Sequence, residues 1–340
     1  MRKRRIIRLL FFILLIILIG PLLLPLPPVG VEAALLADPD GFFITVDGLS
    51  TYVLARGPED GLPVLLLHGW GASTFTWRFN QDALAEAGYR AVAFDRPPYG
   101  LSAKTGANIP YRPSALADFT ARVMDELGLE NAILVGQSQG GGVIGYFAVR
   151  YPQRVKALVF VSGALRPTDD PPPDGQGGGR VTGALGMPSF VGTLLDFPPF
   201  ARWAQIGIRA FIKPDFAASI LKSAYYDPAF MTPEAAEGYS RQLRVVGWDE
   251  ALLNQLRGGV FQADPITAEQ IASFTAPVMI AWGQDDTWVP ISVGERLREL
   301  LPGAVYVTYP NTGHLPQEEA ADAFNADLLA FLRQVVGQQL

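Results

Sequence analysis

Residue types able to perform acyl transfer stand in a fixed order in this chain: a serine at 138, an aspartate pair at 285 and 286, and a histidine at 314. A serine hydroxyl is a poor nucleophile at neutral pH. It needs a base within hydrogen-bond reach, and the base needs a carboxylate to hold its tautomer and stabilise its cation. Ser138 lies in Gly136-Gln137-Ser138-Gln139-Gly140, after the apolar run Ala132–Val135 and before the helix-compatible run Gly141–Ala148. A serine between glycines at a strand-to-helix junction marks a strained turn that lifts the hydroxyl above the sheet edge. Any Cβ at Gly136 or Gly140 would clash with that turn. The helix N-terminus behind it offers free N–H groups to an anion.

His68 and His314 are the only histidines. The order serine, acid, histidine is the one expected with such a turn, and only His314 satisfies it. His68, in His68-Gly69-Trp70-Gly71 directly after an apolar run, reads as a residue that shapes a loop near the site. The acid belongs between 138 and 314, at a strand end. Trp282-Gly283-Gln284-Asp285-Asp286-Thr287-Trp288-Val289-Pro290 supplies either Asp285 or Asp286, whereas Ser162-Gly163-Ala164 offers no carboxylate. An oxyanion needs two N–H donors, each worth roughly 10²–10³ in rate. Gln139 supplies one from the helix N-terminus. Trp70, between two glycines that let its backbone come close, supplies the other.

These residues all follow short apolar runs. Val64–Leu67, Ala91–Phe94, Ala132–Val135, Ala157–Val161, Val278–Trp282 and Val305–Tyr309 are apolar without strict alternation, so they read as strands buried on both faces of a parallel sheet. Phe42–Val46 and Thr51–Ala55 read as a hairpin turning at Asp47-Gly48. Helical stretches fall between them, near Thr76–Ala87, Ser114–Leu127, Gly140–Arg150, Ser292–Leu300 and Glu318–Val335. The expected fold is α/β: a mostly parallel central sheet with helices on both faces, ligands binding beyond the carboxyl ends of the strands. From Arg166 to about Ala272 the alternation stops. Arg166–Pro199 is rich in Pro and Gly and reads as a mobile loop. Phe200–Gly258 reads as helical and aromatic, most of its aromatics packing a small core of their own and a few facing a pocket. The expected organisation is a core over 41–165 and 273–340, with a lid insertion over 166–272.

The first 40 residues stand apart. Arg2-Lys3-Arg4-Arg5 and Arg8 form a basic tail over 1–8. An apolar segment over 9–26 follows, interrupted at Gly20-Pro21, then a proline-rich spacer over 27–40. As a helix, 9–26 rises about 27 Å, close to the hydrocarbon thickness of a bilayer. The cations stay cytoplasmic, which puts the rest of the chain outside. This reads as an uncleaved signal-anchor. The alternative is a secreted protein, after signal cleavage at Val31-Glu32-Ala33. The net charge is −6, with no long basic run beyond the tail, so nucleic acid is not an expected partner. The chain has no cysteine, which excludes disulfides and thiolate catalysis. The two histidines form no metal-ligand spacing, so neither metal nor other cofactor is expected.

Together His68–Gly71, Asp95-Arg96-Pro97-Pro98-Tyr99-Gly100-Leu101-Ser102, Gly136–Gly141, Trp282–Pro290 and Gly313-His314 resemble the α/β-hydrolase fold family, in its lidded branch of esterases and carbon–carbon bond hydrolases. The resemblance runs from about Asp38 to the C-terminus. It implies that Asp286 rather than Asp285 is the acid, and that Asp95 is structural. Ser138 separates the chain from the dehalogenases and epoxide hydrolases of this fold, which carry aspartate there. Gln137 and Gln139 depart from the histidine and methionine common in the family and place amides near the acyl group. The expectation is an anchored extracytoplasmic serine hydrolase that cleaves apolar carboxylic esters through an acyl-enzyme, with the bilayer and the ester as its partners. The alternatives are a carbon–carbon bond hydrolase, a perhydrolase, and a non-catalytic ligand-binding protein of the same fold.

Overall fold

A computed structural model describes residues 2–106, 109–170, 193–258 and 264–337. Its strands are β1 (Gly41–Val46), β2 (Leu49–Arg56), β3 (Pro63–Leu67), β4 (Arg90–Phe94), β5 (Ala132–Gln137), β6 (Val155–Val161), β7 (Val278–Gly283) and β8 (Val305–Tyr309). They form a single sheet in the order β1-β2-β4-β3-β5-β6-β7-β8. β1 and β2 are antiparallel, and β2 pairs antiparallel with β4; every later pairing is parallel. The hairpin turns where expected, with Asp47 and Gly48 both at positive φ (52° and 79°). That conformation matches the right-handed twist of the two strands.

The runs without alternation are buried from both sides. Every residue of β5 and β7 is buried. On one face Phe94, Phe119, Phe147, Phe160 and Trp282 pack together, under the helices α3 (Pro113–Glu126) and α4 (Gln139–Arg150) and the later helix Ile291–Leu300. On the other, Trp77, Phe324, Leu328 and Phe331 pack under α2 (Gln81–Glu86) and the helix Ala321–Gly337.

Two expected helices are divided. Thr76–Ala87 is a 3₁₀ turn over Thr74–Trp77 followed by α2. Thr76 and Asn80 turn inward instead, Thr76 to Glu318 and Asn80 to the Gln317 carbonyl. Glu318–Val335 is likewise split at Ala320, between Pro316–Glu319 and Ala321–Gly337.

The insertion between β6 and β7 contains no named strand among its described residues. It carries the helices Pro198–Phe211, Pro214–Lys222, Pro233–Ser240 and Trp248–Gly258. Most of the expected mobile loop, 171–192, lies outside the described residues. Among the described residues the insertion's aromatics form no core of their own; Tyr225 and Tyr239 instead pack with Ala72, Trp288 and Leu315 from the loops at the sheet edge. The insertion's small apolar cluster is Leu195, Ala201 and Leu253, with Ala204, Ile208 and Leu256 against it. Tyr225 and Trp248 are buried elsewhere, while Trp203, Phe211, Phe216, Tyr226 and Phe230 are exposed. Short helices laid side by side over a sheet have outer faces with no layer above them.

The N-terminal segment forms one helix, α1 (Arg2–Leu23). The most apolar 18-residue window within Lys3–Leu23 has a mean hydropathy of 2.9 and is 6% buried. That is the composition of a span and the exposure of a helix with no protein around most of it. The spacer after it is docked rather than loose. Val31 forms a parallel bridge with Val245, and Asp38 accepts hydrogen bonds from Tyr52 (2.8 Å) and Arg241 (2.8 and 3.0 Å).

Candidate active site

Ser138 occupies the turn between β5 and α4, at φ 51° and ψ −120°. A non-glycine residue held there stores about 1–3 kcal/mol of strain. The surroundings enforce it. The Ser138 N–H donates to Val161 O (3.0 Å) at the end of β6, and its carbonyl accepts from Gly141 N (2.8 Å) and Ala164 N (2.7 Å). A Cβ on Gly136 would strike the backbone of Gly140, and one on Gly140 would strike Leu67 O and His68 O.

β3 and β5 are neighbours, with Leu67 opposite Gly136. The chain crosses back over β3 between β4 and β5, so the crevice at this switch point opens beside the serine. The loop after β3 therefore lies against it: a Cβ on Gly69 would come within 3.0 Å of the Ser138 Cβ. Trp70 follows in this loop, and Gln139 is the first residue of α4. The two candidate N–H donors thus flank Ser138.

β7 and β8 are also neighbours, so the loops after them meet. His314 Nδ1 is 2.8 Å from Asp286 Oδ2, both side chains being buried. The other carboxylate oxygen of Asp286 accepts from the N–H groups of Trp288 (2.8 Å) and Val289 (2.9 Å), which fixes it beneath the imidazole. Asp285 is exposed, and its N–H donates to Thr312 O (3.0 Å). The Trp288 ring stacks on His314 at 5.4 Å. β8 stands three strands from β5, roughly 14 Å at ordinary strand spacing. The His314 loop comes back across that gap: Gln137, next to the serine, donates through Nε2 to His314 O (3.0 Å). Gln139 turns its Oε1 to Arg96 at 3.2 Å. The amides expected near an acyl group thus bond the protein instead, because buried amide groups take the partners within reach.

His68 has both ring nitrogens engaged. Nε2 accepts from Arg96 N (3.0 Å), so Nδ1 carries the proton and donates to Gly69 O (2.8 Å). Burial and the Arg96 charge push its pKa well below the ordinary histidine value. A neutral imidazole with no free nitrogen shapes the loop and moves no proton.

The alpha/beta hydrolase fold family matches residues 63–321. The chain belongs to this family. A 2-hydroxy-6-oxononadienedioate/2-hydroxy-6-oxononatrienedioate hydrolase of Burkholderia vietnamiensis is 31% identical over 279 residues, covering 80% of this chain and 87% of the relative. A bifunctional esterase/perhydrolase of Acinetobacter calcoaceticus is 28% identical over 306 residues, 86% of this chain and 99% of the relative. Among solved structures, a bacterial membrane phospholipase A shares the fold at a TM-score of 0.66 and 22% identity, covering 98% of this chain and 99% of the other. The chain is a serine hydrolase, as its relatives are hydrolases and esterases.

Sequence reading did not single out two parts of this hydrolase's site. Arg96, wholly buried, joins the loop after β3 to the start of α4: one guanidinium nitrogen donates to His68 O (2.5 Å) and Gly69 O (3.3 Å), and both terminal nitrogens reach Gln139 Oε1 (3.2 Å). Burial pulls its pKa down to about 10, so it stays charged at neutral pH. The signal was its place directly after Asp95. The second part is Glu318-Glu319, four and five residues after His314. Buried Glu318 accepts from Thr76 (2.8 Å), Arg78 (2.7 Å) and Tyr225 (2.7 Å), and also from Tyr239. Glu319 accepts from Gly313 N (2.8 Å) beside the histidine and from Tyr226 N (2.7 Å) in the insertion.

A cavity of about 300 Å³ extends from Trp70 and Tyr99 up into the insertion, where Ile208, Ile212, Phe216 and Leu252 wall it. Lys104 is the cation among its lining residues. It is buried, with its ammonium donating to Pro98 O (2.9 Å) and to Gly100 O, and burial lowers its pKa to about 7.

Proposed function

We propose that this hydrolase is a membrane-anchored esterase acting outside the cytoplasm on apolar carboxylic esters. Ser138 attacks the ester carbonyl and His314 takes its proton. Asp286 holds the imidazole and stabilises its cation, and the N–H groups of Trp70 and Gln139 bind the oxyanion. His314 then protonates the leaving alcohol, and water cleaves the acyl-enzyme by the same route in reverse. The observation that carries the reading is the buried His314–Asp286 pair, tied through Gln137 to the strained turn that bears Ser138. The domain reading goes with it: a core of 41–165 and 273–340 beneath a cap of 166–272.

The relative named as a dienedioate hydrolase favours a second reading, carbon–carbon bond cleavage with the same three residues. A dioate carries two carboxylates, and a buried carboxylate needs a paired cation. The cavity here is walled by aliphatic and aromatic side chains, and Lys104 already gives its protons to backbone carbonyls. That favours an uncharged ester. For location, α1 with its basic tail supports an anchor with the N-terminus inside. Cleavage near Ala33 would remove Val31 and with it the bridge to Val245, which supports retention over secretion.

A panel of p-nitrophenyl esters of graded acyl length, run beside a dienone dicarboxylate, tests the proposal. Turnover that rises with acyl length and no cleavage of the dicarboxylate is the expected result. Preference for the dicarboxylate would overturn it in favour of the second reading.

A further inference from the structure

Pro21 sits inside α1 and has no N–H to give the Ile17 carbonyl four residues earlier. In a bilayer an unsatisfied carbonyl costs several kcal/mol, and no water is there to pair with it. The partner comes from the cap: the Trp203 indole Nε1 donates to Ile17 O at 2.9 Å. The same cap helix, Pro198–Phe211, also holds the segment that follows α1. Arg202 donates to Leu24 O (2.8 Å) and Arg209 to Pro27 O (2.8 Å).

Depth then follows from helix geometry. Ile17 is six residues before Leu23, the outer end of the apolar stretch, so Trp203 meets α1 about 9 Å below that end. If α1 spans the bilayer, that level is inside the outer leaflet. Tryptophan suits such a place, with an apolar ring in the acyl region and a polar N–H that finds a partner. Leu194, Phe197, Trp203, Phe211 and Phe216, on and beside this helix, are 39–76% exposed. Lys213 and Lys222 are exposed in the next turn and helix, suited to anionic headgroups.

We infer that the cap helix Pro198–Phe211 is itself a membrane-docking element, seated against α1 in the outer leaflet with Trp203 among the acyl chains. This rests on the anchor reading of α1 given above. It deepens the substrate class. Ile208 on that helix and Ile212 and Phe216 just after it wall the cavity, so an ester dissolved in the bilayer reaches the cavity from lipid without crossing water.

The test uses the full-length chain in vesicles of phosphatidylethanolamine and phosphatidylglycerol doped with acyl-brominated phosphatidylcholine, which quenches indoles that touch it. The chain has 6 tryptophans, so the quenching lost in Trp203→Phe isolates Trp203. Leu15→Trp in the Trp203→Phe background reports on α1. The expected result is quenching of Trp203 in the native chain and of the indole at 15 in the variant. Quenching at 15 without quenching of Trp203 overturns the inference and leaves the anchor standing. No quenching at either position overturns the anchor reading and this inference with it. A second readout compares substrates for Trp203→Ala. Turnover of an ester dissolved in the vesicles is expected to fall about tenfold or more, the factor for removing one aromatic ring from an apolar phase. Turnover of a short water-soluble ester is expected to stay unchanged. Equal loss on both substrates, or loss on neither, overturns it.

Discussion

The rim of the sheet and the cap above it are held by different means. At the rim, backbone groups hold Ser138, Asp286 and His314. The Ser138 carbonyl takes the N–H groups of Gly141, Gly142 and Ala164, Asp286 takes the N–H groups of Trp288 and Val289, and His314 N donates to Ala224 O of the insertion at 2.7 Å. The bonds at Ser138 and Asp286 start from strand ends that parallel pairing has already placed. In the cap, three of the five α-helices among the described residues open on a proline at their first turn and run 8 to 14 residues. Side chains tie them down: Tyr225 and Tyr239 to Glu318, and Arg241 to Asp38. The rim is therefore built for one geometry, with Ala224 O the point at which the cap backbone helps to hold it, while cap residues away from that bond can change the lining. On the function proposed above, chemistry belongs to the first region and choice of substrate to the second.

Substitutions at the rim should break this contrast most sharply. Asp286→Asn should lower kcat about 10⁴-fold, because the amide presents the imidazole with the wrong partner. Asp285→Asn, one residue away but exposed, should leave kcat within about twofold, as surface changes usually do. Steady-state kinetics on one ester compares the two, and the reverse ranking would reassign the acid.

Arg96 gives a smaller effect. Gln139→Met removes one of its acceptors and leaves the backbone N–H of residue 139 in place. We expect kcat to fall by no more than about tenfold, well below the loss of an oxyanion donor itself, with KM nearly constant. An equal rise in KM would show that Gln139 touches substrate instead.

The smallest effect lies at the junction, where Glu319 joins the histidine loop to the cap. Burial raises its pKa from 4.5 to about 7. Between those values the folded chain holds a proton that the unfolded chain has released. Its contribution to stability is therefore full below about pH 4.5, falls as the pH rises and is gone above about 7. Glu319→Gln should flatten the dependence of the unfolding midpoint on pH in that window. An unchanged slope would mean that Glu319 does not set it.

The rim was more legible in the sequence than the cap, and for a physical reason. Strands buried on both faces announce themselves as unbroken apolar runs, and the glycines around Ser138 mark a turn no other residue fits. The two aspartates were equal on chemistry alone; family resemblance favoured Asp286, and that is the residue bonded to His314. Arg96 and Glu318 were not legible because their roles depend on partners far along the chain, such as Thr76, 242 positions before Glu318. The cap aromatics misled because hydrophobic residues read as core unless something else covers them. The contact of Trp203 with Ile17 joins residues 186 positions apart, and no local pattern encodes it.

The account rests on an activated Ser138, and an active-site-directed fluorophosphonate measures that directly. Mass spectrometry of the labelled full-length chain should find one adduct, on the peptide containing Ser138. The adduct should be absent from Ser138→Ala and strongly reduced in His314→Ala, with both variants unfolding at the native midpoint. An unlabelled Ser138 in the folded native chain, or labelling that persists in Ser138→Ala, would contradict it.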